Sequence, residues 1–376
     1  MAEQQTTYAA SLDDIRAAAQ RISDHAHVTP VLTSTTLDRL AGHKLKFKCE
    51  IFQKGGAFKF RGAFNSVQQL PPEQAKKGVV THSSGNHAAA LALAAQLRGI
   101  PAYIVVPSNA PACKLAAVQE YGGNLILCEP SMGARETTAA NIAAVTGAMF
   151  IPPYDCAPVI AGQGTIGLEL LQQVPELDVV VVPVSGGGML SGITLAAKAL
   201  KPGILVLAAE PCGSNDAADV AASKRAGQLV ADLPKPITIA DGLQARLGKH
   251  TWPVVRDLVD GVVTVSDGDI VAAMQLLFER MKLVVEPSGA AGLAAVLSKD
   301  FAAAIAHAKA AAASRGTAAA AAAAAAVSSS EANSSQHEQQ QQQQQQQPPL
   351  NIGIILCGGN LDFKDFWKLE NWQPAH

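Results

Sequence analysis

The chain has 376 residues, 48% of them hydrophobic and 16% charged, with a formal net charge of −2. That length can bury a sizeable core and suggests two domains, and the composition is ordinary for a soluble protein. The near balance of charge leaves no electrostatic footprint for nucleic acid or an anionic membrane, so neither is expected as a partner.

The amino-terminal stretch has no basic region followed by an apolar one, as a secretory signal would, and Asp13 and Asp14 argue against a transit peptide. No run is long and apolar enough to span a bilayer. The cysteines, Cys49, Cys113, Cys128, Cys156, Cys212 and Cys357, form no CxxC pair or metal-ligand spacing and read as reduced thiols. A cytoplasmic protein is expected.

Ser11, with Asp14 three residues on, marks the start of a first helix. Further along, the pattern predicts strands over 102–107, 124–130, 178–184, 204–210 and 351–359. Between them it predicts helices over 111–122, 134–147 and 189–200. Strands that are apolar throughout and separated by helices indicate an α/β protein of mostly parallel sheets flanked by helices. The segment 302–349 departs from this pattern, with alanine blocks, a serine-rich stretch and a glutamine tract at 339–347. Its composition predicts a low-complexity insertion, partly helical in the alanine blocks, that buries little apolar surface. Both a tolerated surface insertion and a regulatory or interaction role stay open for it.

Three loops stand where ligands bind in open α/β sheets, at strand ends and helix starts. In the first, Lys54-Gly55-Gly56-Ala57-Phe58-Lys59, glycines lead into a helix that presents Lys59 early. The positive end of the helix dipole there lowers an amine's pKa, as a Schiff-base lysine requires. Alone, the loop reads as a surface lysine. In the second, Ser83-Ser84-Gly85-Asn86-His87, small polar residues open a helix whose orphan N–H groups suit a carboxylate. Simple capping by Ser84 or Asn86 accounts for it equally, and His87 alone reads as a buried, satisfied histidine. In the third, Ser185-Gly186-Gly187-Gly188-Met189, successive N–H groups can converge on a phosphate, although a tight turn also uses glycines. Ser191 occupies the sixth position counted from Gly186, so the dinucleotide fingerprint fails, and no GxxxxGK[ST] motif occurs. Together the loops supply a lysine, a carboxylate site and a phosphate cradle, the requirements of a pyridoxal-phosphate enzyme acting on amino acids.

These loops, together with Ala161-Gly162-Gln163-Gly164-Thr165, Ala240-Asp241-Gly242 and Cys357-Gly358-Gly359-Asn360, resemble the fold-type II pyridoxal-phosphate family of serine/threonine dehydratases and its racemising members. The resemblance spans roughly 15–301 and 350–363. It implies a small domain of 82–149 against a large one of 1–81 and 150–376, a homodimer, and the tryptophan synthase beta-like fold. Lys59 matches the Schiff-base lysine, Phe58 and Gly242 the residues flanking the cofactor, and Ser185 through Met189 the phosphate loop. Asn86 matches the partner of the cofactor's phenolic oxygen, and Cys357 faces the pyridine nitrogen. Ser185 is expected to add a hydroxyl donor where the family usually has glycine.

The resemblance also implies two reactions of serine. Lys59 would take the α proton from L-serine and Ser84 would return one on the other face to give D-serine. Elimination of water to pyruvate and ammonia would need Lys59 alone. A dehydratase with little racemisation is the alternative, with Ser84 then a mere cap. Ser83, Ser84, Asn86, His87 and Arg135 match substrate-binding positions. Ala245 and Arg246 stand where racemising members carry small polar residues. Glu210, the Ser214 carbonyl and Asp216 match a site for Mg²⁺, Ca²⁺ or Mn²⁺. Ser34, Thr35, Thr36, Lys54, Tyr121, Lys282 and Asn360 match an allosteric ATP site. Gly55 and Ala89 replace a threonine and a glutamine of that site, and Tyr154 replaces an asparagine near the cofactor.

Overall fold

The structure is a computed structural model that describes residues 8–325 and 348–364, apart from 111, 231 and 363. The serine-rich stretch and the glutamine tract therefore lie outside the described residues, as does the side chain of Cys113. Among the described residues, ten strands form two sheets. They are β1 (Val31–Leu32), β2 (Lys44–Lys48), β3 (Val79–Thr81), β4 (Ala102–Pro107), β5 (Asn124–Cys128), β6 (Met149–Phe150), β7 (Val179–Pro183), β8 (Leu205–Pro211), β9 (Gly261–Val265) and β10 (Asn351–Ile355). A six-stranded sheet runs β1-β2-β10-β7-β8-β9, parallel except for the β1–β2 pair. A four-stranded sheet runs β5-β4-β3-β6 and is parallel throughout.

Side-chain alternation explains the layering. Val179 and Val181 face one core with Leu205, Leu207, Leu293 and Ile354, while Val180 and Val182 face another with Val206, Leu190 and Ile193. Successive residues of a strand point to opposite faces, so a run of valines buries both. The smaller sheet repeats the arrangement. Val79, Ile104 and Val106 pack on the helices Lys59–Gln68 and Asn86–Arg98, and Val80 and Val105 pack on Ala139 and Ala148. Ser11 caps the first helix, Leu12–Ile22, in a full capping box with Asp14, as its spacing predicts.

The alanine-rich segment differs from its expected reading. A helix runs Phe301–Ala325, and Phe301, Ile305 and Ala308 are buried in the same core as β9. Its first turns therefore belong to the fold, because an apolar stripe at helical spacing is present among the alanines. No single helix among the described residues is long and apolar enough to cross a membrane.

Candidate active site

A cleft of about 500 Å³ opens between the two sheets, lined by the loops after β3, β7 and β10. Parallel strands deliver their carboxyl ends, and the helices that follow, to one side, and this brings the 83–87 and 185–189 loops together, with Phe58 and Lys59 of the first loop lining the same cleft.

Lys59 is the first residue of its helix, and its Nζ donates to the carbonyl of Pro153 at 2.8 Å and lies 4.9 Å from the centre of the Phe58 ring. Burial draws its pKa down to about 8, against the opposing pull of Cys357 and Glu286. Desolvation, not the helix dipole invoked from sequence, is the leading cause. A substantial fraction of the amine is therefore neutral near physiological pH. Cys357 is buried beside it, and burial raises its thiol pKa well above the usual value. The thiol stays neutral.

The helix that starts at Asn86 has Gly85 as its N-cap and no side-chain cap, so neither Ser84 nor Asn86 does the capping that sequence left open. Ser83 Oγ accepts from the Gly85 amide at 3.4 Å, and the Ser84 hydroxyl has no protein partner among the described residues. Asn86 Nδ2 donates to both oxygens of Glu286, at 2.9 and 3.1 Å, and its Oδ1 accepts from Asn360 Nδ2 at 3.0 Å. His87 is buried, with Nε2 at 3.0 Å from the Ile151 carbonyl. A carbonyl can only accept, so Nε2 carries the proton and Nδ1, which is buried without a partner, is bare. Burial, with Lys59 nearby, pushes the His87 pKa down to about 3, so the ring stays neutral. Arg135 Nη2 donates to the His82 carbonyl at 2.7 Å, while its Nε is buried without a partner.

The glycine loop is tightly enclosed. A methyl group at Gly186 would stand 2.3 Å from the Tyr154 ring, and one at Gly188 would stand 2.8 Å from the Tyr154 carbonyl. Gly187 has φ +89 and faces Thr251. These positions admit no side chain, and their amides stay open to a ligand. Ser185 departs from its expected role. Its hydroxyl donates to the Ala245 carbonyl at 3.1 Å and accepts from the Ala245 amide at 2.9 Å, so its single proton is committed within the protein. On the opposite wall, the Gly242 amide donates to Ser288 Oγ at 3.0 Å. A lysine with a lowered pKa, a shielded thiol and open glycine amides fit a phosphorylated aldehyde cofactor.

The other expected sites are less gathered. Glu210 is buried and caps the helix Asp219–Ala226, accepting from the amides of Val220 and Ala221 at 2.8 Å each. Burial lifts its pKa to about 8. Ser214 donates its amide to the Ile237 carbonyl at 2.9 Å, and Asp216 has φ 48. Among the described residues no group of three or more His, Cys, Asp or Glu could hold a metal. Of the expected ATP residues, Lys282 and Asn360 line a second cavity of about 300 Å³ with Ile51, Phe52 and Val284. Ser34 caps the helix Thr35–Ala41, which begins with Thr35 and Thr36. Lys54 opens a short turn, Tyr121 follows the helix Ala112–Glu120, and none of these five lines that cavity.

Sequence reasoning passed over Glu286 and Asp155, both of which line the cleft. An acid directly before Pro287, the first residue of a helix, was the available signal for Glu286. Asp155 carried none.

Comparison with known proteins agrees with this geometry. A serine racemase from Arabidopsis thaliana is 57% identical over 294 residues, 78% of this chain and 88% of the relative. The structure of maize serine racemase superposes with a TM-score of 0.82 at 49% identity, covering 97% of this chain and 98% of that one. A threonine deaminase from T.th. is more distant, at 37% identity and a TM-score of 0.77 over 94% and 99% of the two chains. A family profile described as "Pyridoxal-phosphate dependent enzyme" matches residues 22–311, and the chain belongs to that family.

Proposed function

We propose that this enzyme racemises serine and, in the same cleft, eliminates water from it to give pyruvate and ammonia. The observation that carries the reading is a Ser84 hydroxyl left uncommitted in the cleft that holds Lys59. Racemisation needs a base on one face of the α carbon and an acid on the other. Lys59, with its pKa near 8, takes the α proton of L-serine, and Ser84 returns one to the opposite face. Elimination uses Lys59 alone: the β hydroxyl takes a proton and departs as water, and the aminoacrylate released is hydrolysed by water to pyruvate and ammonia. Lys59 and the 185–189 loop would hold pyridoxal phosphate, which supplies a conjugated sink for the electron pair left on the α carbon. Asn86, braced by Glu286, would help hold the cofactor ring, and the neutral Cys357 would offer its ring nitrogen no countercharge. His87 and Arg135 line the same cleft and would stand beside the substrate's polar groups.

The test is to follow D-serine and pyruvate from L-serine with wild type and Ser84→Ala. Both products from wild type, with D-serine alone lost in the variant, support the two-face reading. Pyruvate alone from wild type identifies a dehydratase.

Finer features belong to the same proposal. The 82–149 segment acts as a small domain whose closure excludes water. Glu210, the Ser214 carbonyl and Asp216 bind Mg²⁺, Ca²⁺ or Mn²⁺; a cation there offsets the desolvation of the Glu210 carboxylate. ATP binds where Lys282 and Asn360 share a cavity, and Asn360 reaches Asn86 from there. Phe52 and Val284, 47% and 52% exposed at that cavity, are candidates for burial in a homodimer. The five described cysteines are free, in keeping with a cytoplasmic setting.

A further inference from the structure

We infer that Asp155 is a positioning residue for the cofactor phosphate, acting through the turn 248–251, which holds the glycine cradle. The inference rests on the reading of 185–189 as the phosphate loop.

Asp155 takes the amides of three successive residues. Its Oδ1 accepts from His250 at 2.8 Å and Thr251 at 3.3 Å, and its Oδ2 accepts from Lys249 at 3.1 Å. The approach is close enough that a methyl group at Gly248 would stand 2.2 Å from the carboxylate. The pinned turn then grips the cradle. Thr251 Oγ1 donates to the Gly186 carbonyl at 2.7 Å, and the Gly248 amide donates to the same oxygen at 3.2 Å. A methyl at Gly187 would lie 2.8 Å from the Thr251 side chain, so the turn also forms the wall behind the left-handed residue of the loop.

With the Gly186 carbonyl tied backward by two donors, the orientation of the adjoining peptide planes is fixed. The direction of the loop's amides toward a phosphate is fixed with it. The two residues before Asp155 act at the same place. Pro153 accepts from Lys59, and the Tyr154 ring fills the space beside Gly186. Three consecutive residues thus register the lysine against the cradle. Such alignment is worth most where a ligand must meet both groups at once.

The test compares the affinity of the apoenzyme for pyridoxal phosphate with that for pyridoxal, which lacks the phosphate, in wild type, Asp155→Ala, Thr251→Val and the double variant. Melting temperatures of the apoproteins are measured alongside. Wild type is expected to prefer the phosphorylated form. Each single variant is expected to shrink that preference about tenfold, the size of one or two misaligned hydrogen bonds. The double variant should lose little more than either single one, because both act through one chain of contacts. A structural role alone would lower the melting temperature and weaken both ligands equally, and that result overturns the inference. Equal binding of the two ligands by wild type overturns the phosphate-loop reading itself. Should Asp155→Ala fail to fold, Asp155→Asn, which keeps an acceptor for His250 and Thr251, and Thr251→Val decide by the same ratio.

Discussion

Asn86 gives its side-chain amide to both carboxylate oxygens of Glu286, at 2.9 and 3.1 Å, across 200 residues of sequence. Asn360 in turn donates to Asn86 Oδ1 at 3.0 Å and to the Gly55 carbonyl at 2.7 Å. The Asn86 amide is therefore held from both ends, and its orientation toward the cleft is set by protein groups.

Removing the Glu286 carboxylate should release that amide. Glu286→Ala is expected to lower kcat/KM for serine about tenfold, the cost of one lost charge-assisted hydrogen bond. Glu286→Gln, which retains one acceptor oxygen, should recover part of the loss. Steady-state kinetics on the two variants checks the order, and equal losses would show that the acceptor geometry does not matter.

Arg61, two residues after Lys59, is fully buried between two acids. It donates to both oxygens of Glu50, at 2.7 and 2.8 Å, and of Glu169, at 2.6 and 2.9 Å. Lys48 completes the group, donating to Glu169 at 2.7 Å. Losing one partner leaves buried carboxylates uncompensated, so Arg61→Met should cost about 3–5 kcal/mol in urea unfolding. A loss under about 1 kcal/mol would mean that Lys48 alone neutralises both acids.

The sequence made the architecture legible because apolar runs, helix starts and glycine turns are local signals. The loops 83–87 and 185–189 could be tied to one cleft because each follows a parallel strand, a topological fact, whereas the Lys59 loop was tied to them by its chemistry and the family resemblance. What escaped was non-local. Glu50 and Glu169 pair with Arg61 from 11 and 108 residues away, and Asp155 reaches a turn 94 to 96 residues on. No spacing rule encodes such contacts. Phe301, Ile305 and Ala308 escaped for another reason, since flanking alanines diluted their helical stripe into apparent low complexity. At Lys59 the direction of the pKa shift was readable but its cause was not, because burial is a property of the assembled cleft.

That lysine makes cofactor capture pH-dependent. Only the neutral amine attacks an aldehyde, so the rate of pyridoxal phosphate uptake by the apoenzyme should rise about tenfold per pH unit below 8 and level off above it. Stopped-flow uptake across that range is the measurement, and a plateau near the ordinary lysine value would place Lys59 in water. The same shift affects stability. The folded amine sheds its proton before the unfolded one does, so between pH 8 and the ordinary lysine value the unfolded chain binds more protons. The contribution of Lys59 to apoprotein stability therefore increases with pH in that window.

Glu210 shifts the other way, its pKa raised to about 8 by burial. Below that value the folded carboxyl keeps a proton that the unfolded one has lost, so its stabilising contribution falls as pH rises from the ordinary glutamate range through 8. At the proposed cation site, Mg²⁺ would have to displace that proton, and its apparent affinity is then expected to climb about tenfold per pH unit up to about 8 and flatten above it. Glu210→Gln keeps the side chain's shape without its charge. The variant should lose both the Mg²⁺-induced rise in melting temperature and the decline in stability with pH. Calorimetric titration with Mg²⁺ at several pH values is the direct check. Affinity that is independent of pH and unchanged in Glu210→Gln would put the cation elsewhere and leave Glu210 as the cap of the helix Asp219–Ala226 alone.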